Sequence, residues 1–340
     1  MILLSMEQPL VSILTPFKNT APYLTECLES VIGQTYRNWE LLIVDDHSSD
    51  ESFEIVQQFA NNDNRIKLLK NKNHGIIEAL RLALNNSCGQ YITRMDSDDV
   101  MLPHKLSTMV TSLQHYGKKH LAIGCVKYFG SGGISNGYQR YELWLNNLTN
   151  KGANYSEIYK ECPVPSPCWM SHREDLLACG AFDHDRYPED YDLTFRFYKQ
   201  GLKCIPSDKL LHMWRDYPSR TSRTHPHYAQ NYFLDIKLHY FLQLDHDNNR
   251  PLTVWGAGFK GKHIAKILKK SNINFTWVCD NPNKIGKAIY GIRLQGFDQL
   301  KNLNHPQSVI TVANEVAQAE INSYMDTLNL RAMKDYFFFC

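Results

Sequence analysis

The feature that most constrains this chain is a repeat in its first hundred residues: short apolar runs alternate with amphipathic stretches, and two of the runs end in acids. Leu10–Leu14 is apolar and stops at Thr15-Pro16. Glu40–Val44 runs into Asp45-Asp46, and Gln90–Arg94 runs into Asp96-Ser97-Asp98-Asp99. Arg65–Leu69 is a further strand. Ala21–Gly33, Glu51–Ala60 and Ile76–Leu84 have helical spacing, with Tyr23, Leu24, Cys27, Leu28, Val31 and Ile32 on one face of the first. Strands alternating with helices predict an α/β fold with a mostly parallel, doubly wound sheet. Such sheets bind ligands beyond the carboxyl ends of their strands. Both acid clusters fall there.

Further on, Gly124–Ser166 is rich in Gly, Asn and Tyr and resists assignment, whereas Asp190–Lys199 and Tyr228–Leu244 read as helices. The polar stretch Asp245–Pro251 marks a boundary, giving domains 1–245 and 251–340 in a chain of 340 residues. After it, Leu252–Trp255 is a strand that meets the turn Gly256-Ala257-Gly258-Phe259-Lys260-Gly261. A helix to Lys270 and a strand Phe275–Cys279 ending in Asp280 follow. That is one βαβ unit with a G-x-G-x-x-G turn, a pattern that can cradle a phosphate but is weak evidence when alone. The two parts differ in charge: Arg250–Cys340 holds 12 Lys and Arg against 6 Asp and Glu, so the overall +2 divides into a basic back and an acidic front. The nine cysteines include no C-x-x-C pair, which argues against a zinc knuckle or thioredoxin-type site and fits reduced thiols. No signal-like start and no apolar run near the ~18 residues of a membrane span is present, so a cytoplasmic protein is expected.

Asp96-Ser97-Asp98-Asp99 carries the clearest chemistry. Two carboxylates one residue apart at a strand end can hold a hard divalent cation, which neutralises a diphosphate. The competing reading is a cap on the helix that follows. A calcium loop is excluded, because its sixth position would be Met101 and its twelfth Ser107. Glu189-Asp190 can serve as a carboxylate base or as an acidic first turn behind Pro188, and a helix N-terminus allows both. His212-x-Trp214-Arg215 with Ser219-Arg220-x-Ser222-Arg223-x-His225 suits a loop closing over a diphosphate, or a solvated basic loop.

The run Val11-Ser12-Ile13-Leu14-Thr15-Pro16-Phe17-Lys18-Asn19, then Tyr23-Leu24, Cys27-Leu28-Glu29-Ser30-Val31, Gln34-Thr35-Tyr36 and Trp39-Glu40-Leu41-Leu42-Ile43-Val44-Asp45-Asp46, closely resembles the opening of the family 2 glycosyltransferases, which have the GT-A fold. The likeness continues through Asn73-x-Gly75, Asp96-x-Asp98 and Pro188-Glu189-Asp190. The resemblance implies that Thr15, Pro16 and Asp46 hold the uracil and ribose of a UDP-sugar, with Asn19, Asn73 and Gly75 in the same motifs. It implies Asp98 as the main ligand of Mn²⁺ or Mg²⁺, with Asp96 on the ribose or the metal. Asp190 would be the base and Glu189 would position the acceptor. Arg215 and Arg223 would meet phosphate, and a histidine of the later loop, His225 or His212, with His227 behind, would complete the metal. The expected reaction is inverting transfer of a hexose.

Other patches, Gly124-Cys125-Val126-Lys127, Arg140-Tyr141-x-x-Trp144, Cys279-Asp280 with Asn283-Lys284-Ile285, and the aromatic Tyr336–Phe339, are similar to the queuosine-tRNA galactosyltransferases of eukaryotes. That likeness implies UDP-galactose as donor and tRNA as acceptor, with the basic back domain as an RNA grip. A transferase for a cell-surface or lipid-linked glycan is the alternative, and a nucleotide-sugar binding protein without catalysis a further one.

Overall fold

The computed structural model describes residues 8–224 and 233–340, and these form two compact units: one of residues up to Asn154 and Pro163–Tyr228, the other of Tyr155–Cys162 and Ala229–Cys340. The division thus falls ahead of the polar stretch Asp245–Pro251, and the helix before that stretch belongs to the second unit.

In the first unit the expected alternation is present: β1 (Val11–Phe17), α1 (Ala21–Ile32), β2 (Trp39–Asp45), α2 (Ser52–Asn62), β3 (Ile66–Lys70), α3 (Ile76–Asn85) and β4 (Tyr91–Arg94). Next come β5 (Val100–Met101), α4 (Lys105–Tyr116), β6 (His120–Ile123), β7 (Cys125–Phe129), α5 (Asn136–Lys151), β8 (Trp169–His172), α6 (Arg173–Ala178), α7 (Glu189–Lys199), β9 (Lys203–Ile205), β10 (Leu210–Arg215) and the single turn α8 (Thr221–Thr224). The main sheet runs β3-β2-β1-β4-β8-β6-β9, parallel from β3 to β4. Strand β2 is buried along its whole length while the edge strand β3 is only partly so, as expected when helices cover both faces of a parallel sheet. Helix α1 buries Leu24, Cys27, Leu28 and Val31 on the sheet, and each such side chain contributes about 1.5–3 kcal/mol by leaving water.

The stretch that resisted assignment holds β7 and α5. Ser135 caps α5 by accepting from the Tyr138 amide, and Gly152 ends it in the left-handed region at φ 62°. A small second sheet, β5-β10-β7, lies at the site end of the unit. In it His212 pairs with Met101 and Met213 with Val100, which fastens the acid loop before β5 to the strand that carries Arg215.

The second unit contains α9 (Leu234–Leu244), β11 (Leu252–Trp255), α10 (Phe259–Lys270), β12 (Thr276–Cys279), the hairpin β13 (Ala288–Ile289) and β14 (Ile292–Arg293), β15 (Gln295–Gly296), β16 (Gln307–Ile310), α11 (Glu315–Thr327) and β17 (Tyr336–Phe338). Its sheet, β15-β12-β11-β16-β17, is parallel throughout. The sequence showed one βαβ unit; the structure adds a second, β16-α11-β17. The glycine turn serves packing: a Cβ on Gly261 would stand 2.0 Å from the Gly256 carbonyl oxygen, so only glycine lets α10 approach β11 this closely. Two of the turn's carbonyls are also taken, by Trp277 Nε1 at 2.8 Å and Lys284 Nζ at 3.0 Å. Among the described residues no helix is long and apolar enough to cross a membrane.

Candidate active site

The carboxyl ends of β1, β2 and β4 and the start of α7 carry three groups of predicted residues in the first unit. The first group is at β1 and β2. Thr15 is buried, and its Oγ1 has no hydrogen-bond partner among the described residues. Such an orphan costs free energy unless a ligand or water satisfies it. Asp46 is buried and accepts from the Gly75 amide at 2.9 and 3.1 Å and from Asn71 Nδ2 at 2.7 Å. Gly75 adopts φ 98° to present that amide. Asn19, in the left-handed region at φ 52°, accepts from the Ser49 amide at 2.7 Å, which ties the β1 loop to the β2 loop. Asn73 Nδ2 donates to Glu78 at 2.9 Å and so braces the loop rather than pointing free.

The second group is the acid loop. Asp98 is buried and accepts from the Tyr217 hydroxyl at 2.8 Å. Burial pushes its carboxyl up to about 7, Asp99 and Asp96 push the same way, and Arg220 opposes them. Asp99 is fully buried and also raised, by burial above all. Asp99 accepts from the Arg215 amide at 2.7 Å and from His212 Nε2 at 2.9 Å. Burial and neighbouring acids raise Asp98 and Asp99 even with Arg220 nearby, and Asp96 in the same loop is held by Arg94; carboxylate oxygens are the donors that a hard divalent cation takes. Asp98 and Asp96 therefore fit a hard divalent cation.

The histidines need correction. His212 is fully buried; its Nε2 donates to Asp99, and its Nδ1 accepts from Lys105 Nζ at 3.3 Å. Burial and the Lys105 charge hold the ring well below its usual range. With both ring nitrogens occupied, His212 supports Asp99 and has no lone pair for a metal. His225 and His227 lie outside the described residues.

The arginines differ from expectation too. Arg215 donates through Nε to the Asp98 carbonyl at 2.6 Å and through Nη2 to Glu26 at 2.5 Å, with its guanidinium between Tyr23 and Phe129. It is a staple of the acid loop. Arg223 forks onto Asp216 at 2.8 and 2.7 Å. A further cation, the buried Arg220, acts on Asp96, Asp98 and Asp99 together.

The third group is at the start of α7. Glu189 is buried and accepts from Arg94 Nη1 at 2.9 Å, while Arg94 Nε donates to Asp96 at 2.9 Å. Arg94 thereby joins the acid loop to the α7 N-terminus. Asp190 accepts from the Tyr191 amide at 2.8 Å. Burial and then the Glu189 charge raise its carboxyl to about 7, against the pull of Arg94. A carboxyl poised there can take a proton near neutral pH. Sequence reasoning passed over Arg94 and Tyr217. Arg94 left one signal, a lone cation in the otherwise uncharged run Tyr91-Ile92-Thr93-Arg94-Met95.

Comparison with known proteins bears on the family and the fold. The profile of Glycosyl transferase family 2 matches residues 12–179. An uncharacterised glycosyltransferase of Haemophilus influenzae is 32% identical over 228 residues, which are 64% of this chain and 69% of that protein. The UDP-Glc:alpha-D-GlcNAc-diphosphoundecaprenol beta-1,3-glucosyltransferase WfgD of Escherichia coli is 32% identical over 166 residues, 47% of this chain and 58% of that protein. Among solved structures, TarS 1–349 of S. aureus superposes with a TM-score of 0.51 at 19% identity, covering 70% of this chain and 67% of that one. That likeness bears on the fold, which is of the GT-A kind.

Proposed function

Because the chain belongs to glycosyl transferase family 2, we propose that it transfers a hexose from a UDP-sugar to an acceptor hydroxyl with inversion. The observation that supports this reading is the placement of Asp46 and Asp98 just past the carboxyl ends of β2 and β4, with Arg94 linking the loop of Asp98, through Asp96, to Glu189 beside Asp190 at the start of α7. Asp46 and the buried Thr15 hydroxyl of the Thr15-Pro16 turn, unpaired among the described residues, receive the nucleoside. Asp98 and Asp96 would hold Mn²⁺ or Mg²⁺, which supplies charge neutralisation to the departing diphosphate. Asp190 takes the proton of the acceptor hydroxyl, and Glu189, fixed by Arg94, keeps the acceptor side of the site in place. One base opposite one leaving group on the far face of the sugar gives an in-line displacement, hence inversion.

For the acceptor, the sugar hydroxyl of a lipid-linked or cell-surface glycan is favoured by the E. coli relative, whose name specifies a UDP-Glc donor and a diphosphoundecaprenol-linked sugar. A second reading, galactose transfer to queuosine in tRNA, is favoured by the exposed Lys262, Lys266, Lys269 and Lys270 on α10. One assay tests both: UDP release from UDP-glucose, UDP-galactose and UDP-N-acetylglucosamine with Mn²⁺, offered either polyprenyl-diphosphate sugars or total tRNA. Acceptor-dependent release with the lipid-linked sugar supports the first reading. Release only with tRNA, lost in salt and in a Lys262→Glu/Lys266→Glu/Lys269→Glu variant, supports the second. No release with any donor and acceptor would overturn the transferase reading and leave a binding protein.

A further inference from the structure

We propose that Asp46, His47 and His74 form a second cation site, separate from Asp96 and Asp98, that takes a transition metal of the zinc type. The three residues offer one ligand atom each, and these atoms lie within 4.8 Å of one another. Two imidazoles and one carboxylate are a donor set for Zn²⁺ or Co²⁺, whereas Mg²⁺ prefers oxygen alone. The chemistry thus separates this site from the all-carboxylate loop.

The local structure fixes Asp46 and His47 and holds the backbone of His74. Asp46 is buried and its carboxylate is fixed by the Gly75 amide and Asn71. His47 follows it directly, in the left-handed region at φ 62°, which turns the ring out of the β2 path. Its Nε2 lies 2.7 Å from the Asn73 carbonyl oxygen. A carbonyl only accepts, so Nε2 carries the hydrogen and Nδ1 is left with the lone pair. Metal-binding histidines are oriented in this way, by giving the other N–H to a carbonyl or carboxylate. His74 stacks on His47 with ring centroids 4.1 Å apart and 26° between planes. It sits between Asn73 and Gly75, both anchored, so its backbone is held while its ring is exposed.

Bonds of ~2.0–2.2 Å to one ion would bring the ligand atoms to roughly 3.3–3.5 Å from each other. The exposed His74 ring can close that gap by side-chain rotation without disturbing the core or the bond from His47 to Asn73. Lys18 Nζ, 3.9 Å from Asp46 and itself exposed, is the one cation paired with that carboxylate among the described residues and can swing away. Three protein ligands leave a fourth position for water. Because Asp46 also serves the nucleoside in the proposed function, an ion here and a nucleotide exclude each other; this consequence alone rests on that reading.

The test uses the full chain, freed of metal with a chelator and then held in excess Mg²⁺ to occupy the carboxylate loop. Titration with Co²⁺ should give the visible absorption of a low-coordinate Co(II) centre, saturating at one equivalent. His47→Ala and His74→Ala should each weaken it by at least about tenfold, the lower end of what losing even a supporting partner costs. Asp98→Asn should leave it unchanged. Both histidines are exposed, so circular dichroism should show the variants folded. Absence of the Co²⁺ band, or a band that survives His74→Ala, overturns the site, as does a band lost in Asp98→Asn. UDP should then displace Co²⁺ from the wild type. A band that resists saturating UDP leaves the metal site standing and counts against Asp46 as a nucleoside residue.

Discussion

Replacing Asp98 by Asn should make the metal-free protein more stable while removing metal-dependent donor binding. Burial and the neighbouring acids raise this carboxyl from 3.8 to about 7, and about 1.4 kcal/mol per unit makes its ionised form costly by roughly 4 kcal/mol at pH 8. The folded-state pKa lies above the unfolded one. The stability that protonation confers is therefore complete below the unfolded value and is lost as pH rises through about 7. Asn carries no charge and avoids that loss. Its amide oxygen can still accept from Tyr217, but its new N–H groups need acceptors, at a cost of about 1–3 kcal/mol. The net gain at pH 8 is then about 1–3 kcal/mol, or roughly 2–12 °C for a unit of this size. Thermal unfolding followed by circular dichroism in chelator, from pH 4.5 to pH 8.5, measures it. The gain should grow across that window up to about pH 7 and then level. Added Mn²⁺ with UDP should reverse the order, since only the wild type gains binding energy. A variant less stable than wild type at pH 8, or an offset that is the same at pH 4.5, would refute the idea that carboxylate crowding marks the cation site.

Asp190→Asn should leave UDP affinity unchanged in calorimetry and cut turnover by about 10²–10⁴; in the wild type kcat/KM should rise with pH and level near the raised carboxyl, about 7. Wild-type turnover in the variant would move the base to Glu189. Arg94→Met leaves Asp96 and the buried Glu189 without their shared cation and should cost about 3–5 kcal/mol in urea unfolding, with Arg94→Lys recovering part of it; a loss below about 1 kcal/mol would show that the pair is well solvated. Gly261→Ala places a Cβ against the Gly256 carbonyl and should cost about 1–3 kcal/mol, seen as faster amide exchange in residues 252–340; an exchange pattern matching wild type would mean the turn relaxes freely.

The sequence by itself determined the parallel sheet of the first unit and the ends of its strands. Apolar runs such as Leu41–Val44 and the one-faced pattern of α1 are local signals, and burial on both faces of β2 follows from them. The acid clusters were legible for the same reason, since a strand end fixes where the next few residues must lie. In the second unit the first βαβ and the helix before it were legible, but β16-α11-β17 was not; β16 opens on the polar Gln307-Ser308, and α11 buries Gln318 along with Ile321 and Met325, so the apolar pattern there is weak.

Tertiary structure alone decided the partners of the charges. Nothing local pairs Arg94 with Glu189 or His212 with Asp99, because each pair joins segments about a hundred residues apart and depends on how β4, α7 and β10 pack. That is why Arg94 and Tyr217 were passed over, why Arg215 turned out to staple the acid loop, and why His212 proved to be a buried support. Side-chain type is written in the sequence, but whether a cation meets solvent, a ligand or a buried carboxylate depends on desolvation and distance, and only the folded chain sets those.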